Sequence, residues 1–193
     1  MSRPLCVVIA GPNGAGKSTA APFLLRDALE VKEFVNADTI AAGLAGYEPN
    51  RAAIQAGRLM LERLRALATN GESFAFETTL ATRSFVPLLR RLQAQGYTVG
   101  LLFFWLPSAD YALARVRVRV AEGGHDIPED VVRRRFAPGL RNFLGLYSAL
   151  VDFWAIYDAR RSPPTPIASH DPSGATVAHE PALWDSISGT IDG

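Results

Sequence analysis

Cysteine is nearly absent: Cys6 stands alone in a chain of 193 residues, so no internal disulfide can form. Its place inside an apolar run makes it a small buried hydrophobe. Only three histidines occur, and His170 and His179 have no metal-ligand spacing to other Cys or His residues, so both read as surface residues. An excess of charge of one sign is also missing. The formal net charge is +1, which excludes an extended electrostatic nucleic-acid footprint. No apolar run reaches the ~18 residues of a membrane span. Met1-Ser2-Arg3-Pro4 leads straight into a strand pattern, leaving no room for a signal peptide, so a cytoplasmic protein is expected. Internal repeats and low-complexity tracts are absent as well. What remains, with 48% hydrophobic and 20% charged residues, is a globular chain long enough for one sizeable core.

The most informative stretch is Gly11-Pro12-Asn13-Gly14-Ala15-Gly16-Lys17-Ser18-Thr19, which fits the phosphate-binding pattern G-x-x-x-x-G-K-[ST]. Leu5 to Ala10 before it is an apolar run of the buried parallel-strand kind, and an amphipathic segment follows it. Glycines at 11, 14 and 16 let successive backbone N–H groups turn inward and, with the helix N-terminus, hold a phosphate chain. Lys17 would reach the β- and γ-phosphates and the Ser18 hydroxyl a Mg²⁺ ion.

Five strand candidates alternate with helical patterns: 5–10, 33–36, 73–77, 98–106 and 153–157, with helices near 18–30, 51–69, 84–95, 109–121, 129–136 and 139–151. Pro138-Gly139 is expected to split the last two. This predicts a three-layer α/β fold of the P-loop NTPase type, with a mostly parallel five-stranded core sheet and a helical lid at about 115–136. The core runs to about residue 160. The tail, 161–193, begins with the stiff Ser162-Pro163-Pro164-Thr165-Pro166 connector and is expected to pack on the same domain. It offers two short edge strands, 167–169 and 176–179, and a final helix over 181–187.

Three further groups can carry chemistry. Asp38 lies where the second strand ends, at the sheet edge where ligands bind in open α/β folds. It either accepts a proton from an attacking hydroxyl or caps a helix starting at Ile40. Glu77 ends the third strand, followed by Thr78 and Thr79 as further polar contacts. It either binds Mg²⁺ through water or a substrate hydroxyl, or pairs with a nearby lysine or arginine. Arg115-Val116-Arg117-Val118-Arg119-Val120 alternates like a strand, yet Ser108-Ala109-Asp110 after Pro107 is a good helix start. On a helix Arg115 and Arg119 share a face. With Gly123-Gly124 and Arg133-Arg134-Arg135 downstream, the segment reads either as a lid over phosphates or as two solvated helix faces whose arginines pair with Glu122, Glu129 and Asp130.

Taken together, the Gly11–Thr19 loop, Asn36-Ala37-Asp38, Phe76-Glu77-Thr78-Thr79, Arg115–Val120 leading into Gly123-Gly124-His125-Asp126-Ile127-Pro128, Arg134-Arg135-Phe136 and Tyr157-Asp158 resemble the zeta toxin family of P-loop kinases. The resemblance covers about residues 5 to 158 and fits a short, zeta-like member. It implies an ATP-dependent kinase whose relatives phosphorylate a hydroxyl of UDP-N-acetylglucosamine. Carried across, Lys17, Ser18 and their loop would serve ATP and Mg²⁺, Asp38 would be the base and Glu77 would meet the acceptor. Arg119, with Arg115, would close on the ATP phosphates, and His125 and Arg134 would lie on the acceptor side. A separate antitoxin protein is a partner such a family implies.

The first expectation is therefore a kinase acting on a small, nucleotide-sugar acceptor. The alternatives are a kinase of a nucleoside or nucleic-acid end, and a nucleotide-dependent switch that acts through a protein partner.

Overall fold

A computed structural model describes residues 3–23, 25, 29–45, 52–124 and 126–191. Five strands run parallel: β1 (Leu5–Ala10), β2 (Glu33–Val35), β3 (Phe74–Thr78), β4 (Thr98–Trp105) and β5 (Phe153–Asp158), in the order β2-β3-β1-β4-β5. Beyond β5, β6 (Thr165–His170) and β7 (Thr176–Ala178) add on antiparallel, making a sheet of seven strands rather than five. The β6 pairing includes Pro166, and the register slips between Ile156 and Tyr157 opposite it. A proline has no N–H to donate to the ladder, and strands accommodate it at such irregularities.

The near-continuous apolar strands follow from burial on both faces. Alternate residues sort to opposite sides: Cys6, Val8, Phe74, Phe76, Leu101 and Phe103 to one core, Val7, Ile9, Ala75, Leu102 and Phe104 to the other. Helix α1 (Lys17–Phe23) and α5 (Ala109–Ala121) cover the second core through Ala21, Ala112, Leu113 and Val116. The first core is covered by α3 (Ala53–Thr69), α4 (Val86–Ala94) and α7 (Pro181–Ser188), through Met60, Leu64, Leu67, Leu89, Leu92 and Ile187. A further helix, α2 (Ala37–Ala45), leans on α3 through Ala41 and Ala56. The expected helix over 18–30 is seen as α1. Residues 24 and 26–28 lie outside the described residues.

Pro138-Gly139 does not split the helix after it. Helix α6 (Glu129–Asn142) runs through both and passes into a five-residue π turn, Phe143–Tyr147. Proline removes one backbone hydrogen bond, but tertiary contacts hold the helix past it. Gly139 sits against the Thr79 carbonyl, where an added Cβ would lie 2.5 Å from the oxygen. Asn142 Nδ2 donates to the Leu80 carbonyl (2.8 Å) and the Tyr147 hydroxyl to that of Thr82 (3.0 Å). Since Val132 packs in one core and Phe143 in the other, α6 crosses the carboxyl edge of the sheet beside the end of β3.

His170 is not a plain surface residue. It is half-buried, stacked on Trp154 at 5.7 Å, with Nδ1 2.9 Å from Thr176 Oγ1. At the end of β5, Asp158 is fully buried and held by Arg160, whose Nη2 lies 2.7 Å away and whose guanidinium covers Trp105 at 5.2 Å. Burial alone would raise the Asp158 pKa. Hydrogen bonds from Arg160, and the charges of Arg160 and Arg161, outweigh it and hold the carboxyl below the usual carboxylate range. A depressed folded-state pKa gives stability that is complete above the unfolded value near pH 4 and is lost as the pH falls through the folded value. Asp158→Asn should therefore cost on the order of 2 kcal/mol at pH 7. It should also flatten the acid limb of the stability curve below about pH 4. Urea unfolding between pH 2.5 and 7 measures both, and an unchanged acid limb counts against the assignment.

Candidate functional site

Topology collects the chemistry. Because β2, β3 and β1 are parallel neighbours, their carboxyl ends lie side by side, with Val35 opposite Phe76 and Ile9 opposite Glu77. Asn36, Glu77 and the loop that starts at Gly11 are thereby brought to one edge.

The loop has the glycine geometry its sequence calls for. Gly11 (φ +135°) and Gly14 (φ +79°) occupy backbone conformations that side chains rarely adopt. An added Cβ at Gly14 would stand 2.6 Å from the Ala112 carbonyl, so α5 packs directly on the loop. Ala15 is buried in the second core beneath it, and the Thr19 N–H bonds the Gly16 carbonyl at 3.2 Å as α1 begins. Lys17 is 5% exposed, and its ammonium donates to the carbonyls of Gly11 and Pro12, both at 2.9 Å. It also lies 3.5 Å from Glu77 Oε1. Asn13 is buried as well, and its side-chain oxygen has no hydrogen-bond partner among the described residues.

Glu77 is the hub. Its Oε2 accepts from Ser18 Oγ (2.6 Å) and Asn36 Nδ2 (2.8 Å). Of the two readings of this residue, the structure shows the pairing with a lysine, and that lysine belongs to the phosphate loop. The cap of α2 is Asn36, not Asp38. Asn36 Oδ1 accepts the backbone N–H of Asp38 (2.7 Å) and of Thr39 (3.3 Å), and the helix begins at Ala37 rather than Ile40. A strand-end Asn one residue before a helix is a cap signal. Read that way, it would have marked Asn36 as the residue that fixes the start of α2. The Asp38 side chain is left exposed in the first turn.

The arginines divide into two sets. Arg117 and Arg133 reach Glu129 at 3.1 and 2.8 Å, Arg133 also reaches Asp110 at 2.7 Å, and Arg134 reaches Asp130 at 3.5 Å. These are the solvated-face pairings. Arg115 instead lies over the loop. Its guanidinium donates to the Ala159 carbonyl and stands 3.4 Å from the position of a Cβ on Gly16. Gly123 and Gly124 close α5. Gly123 (φ +87°) donates to the Val120 carbonyl and Gly124 to that of Arg119, both at 2.9 Å, which is a Schellman helix stop. His125 lies outside the described residues.

Two cavities meet at this hub and share Asn13, Lys17, Asp38 and Glu77. The smaller, about 440 Å³, lies over the loop, with Ser18 and Thr19 at one side and Arg115 and Arg119 at the other. The larger, about 750 Å³, runs toward α3 and α6. It is lined by the hydroxyls of Thr78, Thr79, Thr82 and Ser84, an apolar wall of Ile54, Met60, Leu61 and Phe85, and Arg58, Arg134 and Arg135. Sequence reasoning did not single out Arg58. It sits on α3 outside every motif, and only packing brings it to the cavity. Ser18 and Glu77 offer oxygen donors of the kind magnesium prefers. No cluster of three or more His, Cys, Asp or Glu residues stands ready for a metal among the described residues. A hydroxyl and one carboxylate beside a phosphate cradle are a fitting partial set for an ion that keeps waters and phosphate oxygens as its other ligands.

A family profile described as an AAA domain matches residues 6–144. The chain belongs to this AAA domain family. The AAA domain match takes in β1 through α6, and so every residue of the hub. An uncharacterized protein of Haemophilus influenzae is 31% identical over 130 residues, which span 67% of this chain and 91% of that protein. Among solved structures, the PezAT chromosomal toxin–antitoxin system of Streptococcus pneumoniae superposes with a TM-score of 0.68 at 15% identity, covering 96% of this chain and 78% of that one. The AvrRxo1-ORF1:ORF2 complex with ATP gives 0.75 at 18%, covering 96% of this chain. This chain spans only 64% of that one. At such identities the likeness is one of fold, and the fold implied by the zeta toxin resemblance is the one observed. No helix among the described residues is long and apolar enough to cross a membrane.

Proposed function

We propose that this AAA domain protein is an ATP-dependent kinase that transfers the γ-phosphate to a hydroxyl of a small phosphorylated acceptor, of which a nucleotide sugar such as UDP-N-acetylglucosamine is the leading class. The observation that carries the reading is the pair of cavities joined at Lys17, Asp38 and Glu77. A hydrolysing switch needs only the smaller one. The larger cavity has room for a small organic acceptor. Among the described residues, no ion pair engages Arg58 or Arg135 within it, which suits an acceptor that brings its own negative charge.

Lys17 would exchange the carbonyls of Gly11 and Pro12 for the β- and γ-phosphate oxygens. Arg115 and Arg119 would face the same phosphates from α5. Ser18 and Glu77 would hold Mg²⁺, which when bound would neutralise charge on the phosphate chain. Asp38, at the junction of the cavities, would take the proton of the attacking hydroxyl. Glu77, already committed to Ser18, Asn36 and Lys17, would hold the metal side while its place in the larger cavity lets it meet the acceptor. Thr78, Thr79, His125 and Arg134 would complete the acceptor contacts. The ATP complex of AvrRxo1-ORF1 supports the choice of nucleotide. The PezAT toxin–antitoxin system supports a separate antitoxin as protein partner.

The test is Mg-ATP turnover with nucleotide sugars, nucleosides and oligonucleotides bearing a 5′-hydroxyl, read by product mass. ADP should form only with an acceptor, and the acceptor should gain one phosphoryl group. ATP hydrolysis at one rate whatever is added would favour the switch instead.

A further inference from the structure

A recess of about 400 Å³ opens beside the larger cavity and shares Ala81, Thr82 and Pro138 with it. Two arginines line it from different elements: Arg83 from the loop after β3, and Arg141 from the last turn of α6. No acidic residue is among those lining it, and neither arginine forms an ion pair with the described residues. A basic residue in a last helical turn is explained by the helix dipole, which accounts for Arg141 but not for a second arginine lining the same recess. Two like charges on one small recess repel unless an anion lies between them.

The backbone that carries Arg83 is held in an unusual shape. Leu80 is fully buried with φ +59°, a left-handed conformation that a leucine rarely adopts. Three contacts enforce it. The Leu80 N–H bonds Thr78 Oγ1 (3.0 Å), Asn142 Nδ2 bonds the Leu80 carbonyl (2.8 Å), and the Tyr147 hydroxyl bonds the Thr82 carbonyl (3.0 Å). The π turn at Phe143–Tyr147 supplies the last of these. Such local strain persists where the surroundings over-determine it, and it concentrates at ligand clamps. Here it ties the loop and α6 together, so that Arg83 and Arg141 are presented on one locked surface.

We propose that this recess is a second anion subsite, which takes a phosphate-type group of the acceptor remote from the hydroxyl that is phosphorylated. The inference rests on the kinase reading above and deepens it. An acceptor seated in the larger cavity would extend past Pro138, with a pyrophosphate or phosphodiester group between Arg83 and Arg141. The guanidinium fork matches such oxygens in a bidentate way.

The probe is inorganic pyrophosphate, titrated by calorimetry into protein saturated with Mg²⁺ and a non-hydrolysable ATP analogue, so that the phosphate loop is already filled. The double variant Arg83→Gln/Arg141→Gln changes exposed side chains and should fold as the wild type does. It should bind pyrophosphate at least tenfold more weakly while its affinity for the ATP analogue stays within twofold. Competition then separates the sources. Displacement of pyrophosphate by UDP-N-acetylglucosamine assigns the subsite to a pyrophosphate, and displacement by a short oligonucleotide assigns it to a phosphodiester. Equal pyrophosphate affinity in the two proteins, or displacement by neither competitor, overturns the subsite. A wild-type protein that fails to bind the ATP analogue overturns the kinase reading instead. The variant difference, measured in a Lys17→Ala background, then still reads the recess.

Discussion

Replacing Lys17 with alanine is expected to lower phosphoryl transfer by ~10²–10³-fold or more, the loss typical when a donor aimed at developing charge is removed. The side chain is 5% exposed, and its ammonium is engaged by polar groups of the site. It holds two loop carbonyls at 2.9 Å and Glu77 at 3.5 Å. In the presence of ATP those carbonyls would be exchanged for phosphate oxygens at little cost in geometry, because the glycine conformations already set the loop. The sheet and both cores do not depend on it, so the melting temperature should move by a few degrees at most. Single-turnover kinetics with a saturating acceptor, equilibrium binding of a labelled ATP analogue and a thermal melt separate the contributions. Near-normal turnover in Lys17→Ala would remove the phosphate-loop assignment, and a collapse of the melt would make the lysine structural.

Asp38→Asn should lower kcat by ~10²-fold or more if the carboxylate takes the proton of the attacking hydroxyl. Asparagine is nearly isosteric and cannot accept that proton at neutral pH. The structure makes this a cleaner experiment than the sequence allowed. The helix cap belongs to Asn36, which accepts the N–H groups of Asp38 and Thr39, so Asp38 can lose its charge without releasing α2. The expected result is a loss of kcat with KM for ATP and the melting temperature close to wild type. Should Asp38→Asn retain its turnover, the proton acceptor must lie elsewhere, and Glu77 is the next carboxylate at the junction. Its bonds to Ser18 and Asn36 make it less available for that task.

Local chemistry was legible wherever a short stretch of chain determines its own shape. The phosphate loop declares itself because glycines at positive φ and a following helix are local requirements. Strands β1, β3 and β4 show as apolar runs because both their faces are buried. The alternating arginines of 115–120 form α5 because Ser108 caps it, accepting the Tyr111 N–H at 3.1 Å, and this start outweighs the strand-like period. Which arginine faces which cavity depended on packing. Arg117, Arg133 and Arg134 found carboxylates on their own helix or its neighbour, while Arg115 and Arg58 were carried to the cavities by the helices they ride on. Likewise, the strand order β2-β3-β1 alone decided that Glu77 would meet Ser18 and Asn36, residues 59 and 41 positions away. Pro138 marks the same boundary. The local rule that proline ends a helix is a statement about one hydrogen bond. It was overridden where Gly139, Asn142 and Tyr147 gained contacts with the loop after β3 that no local pattern records. Sequence alone determined which groups could do chemistry, since side-chain type and turn geometry are local. Tertiary structure decided which of them act together, because long-range pairing sets which strand ends become neighbours.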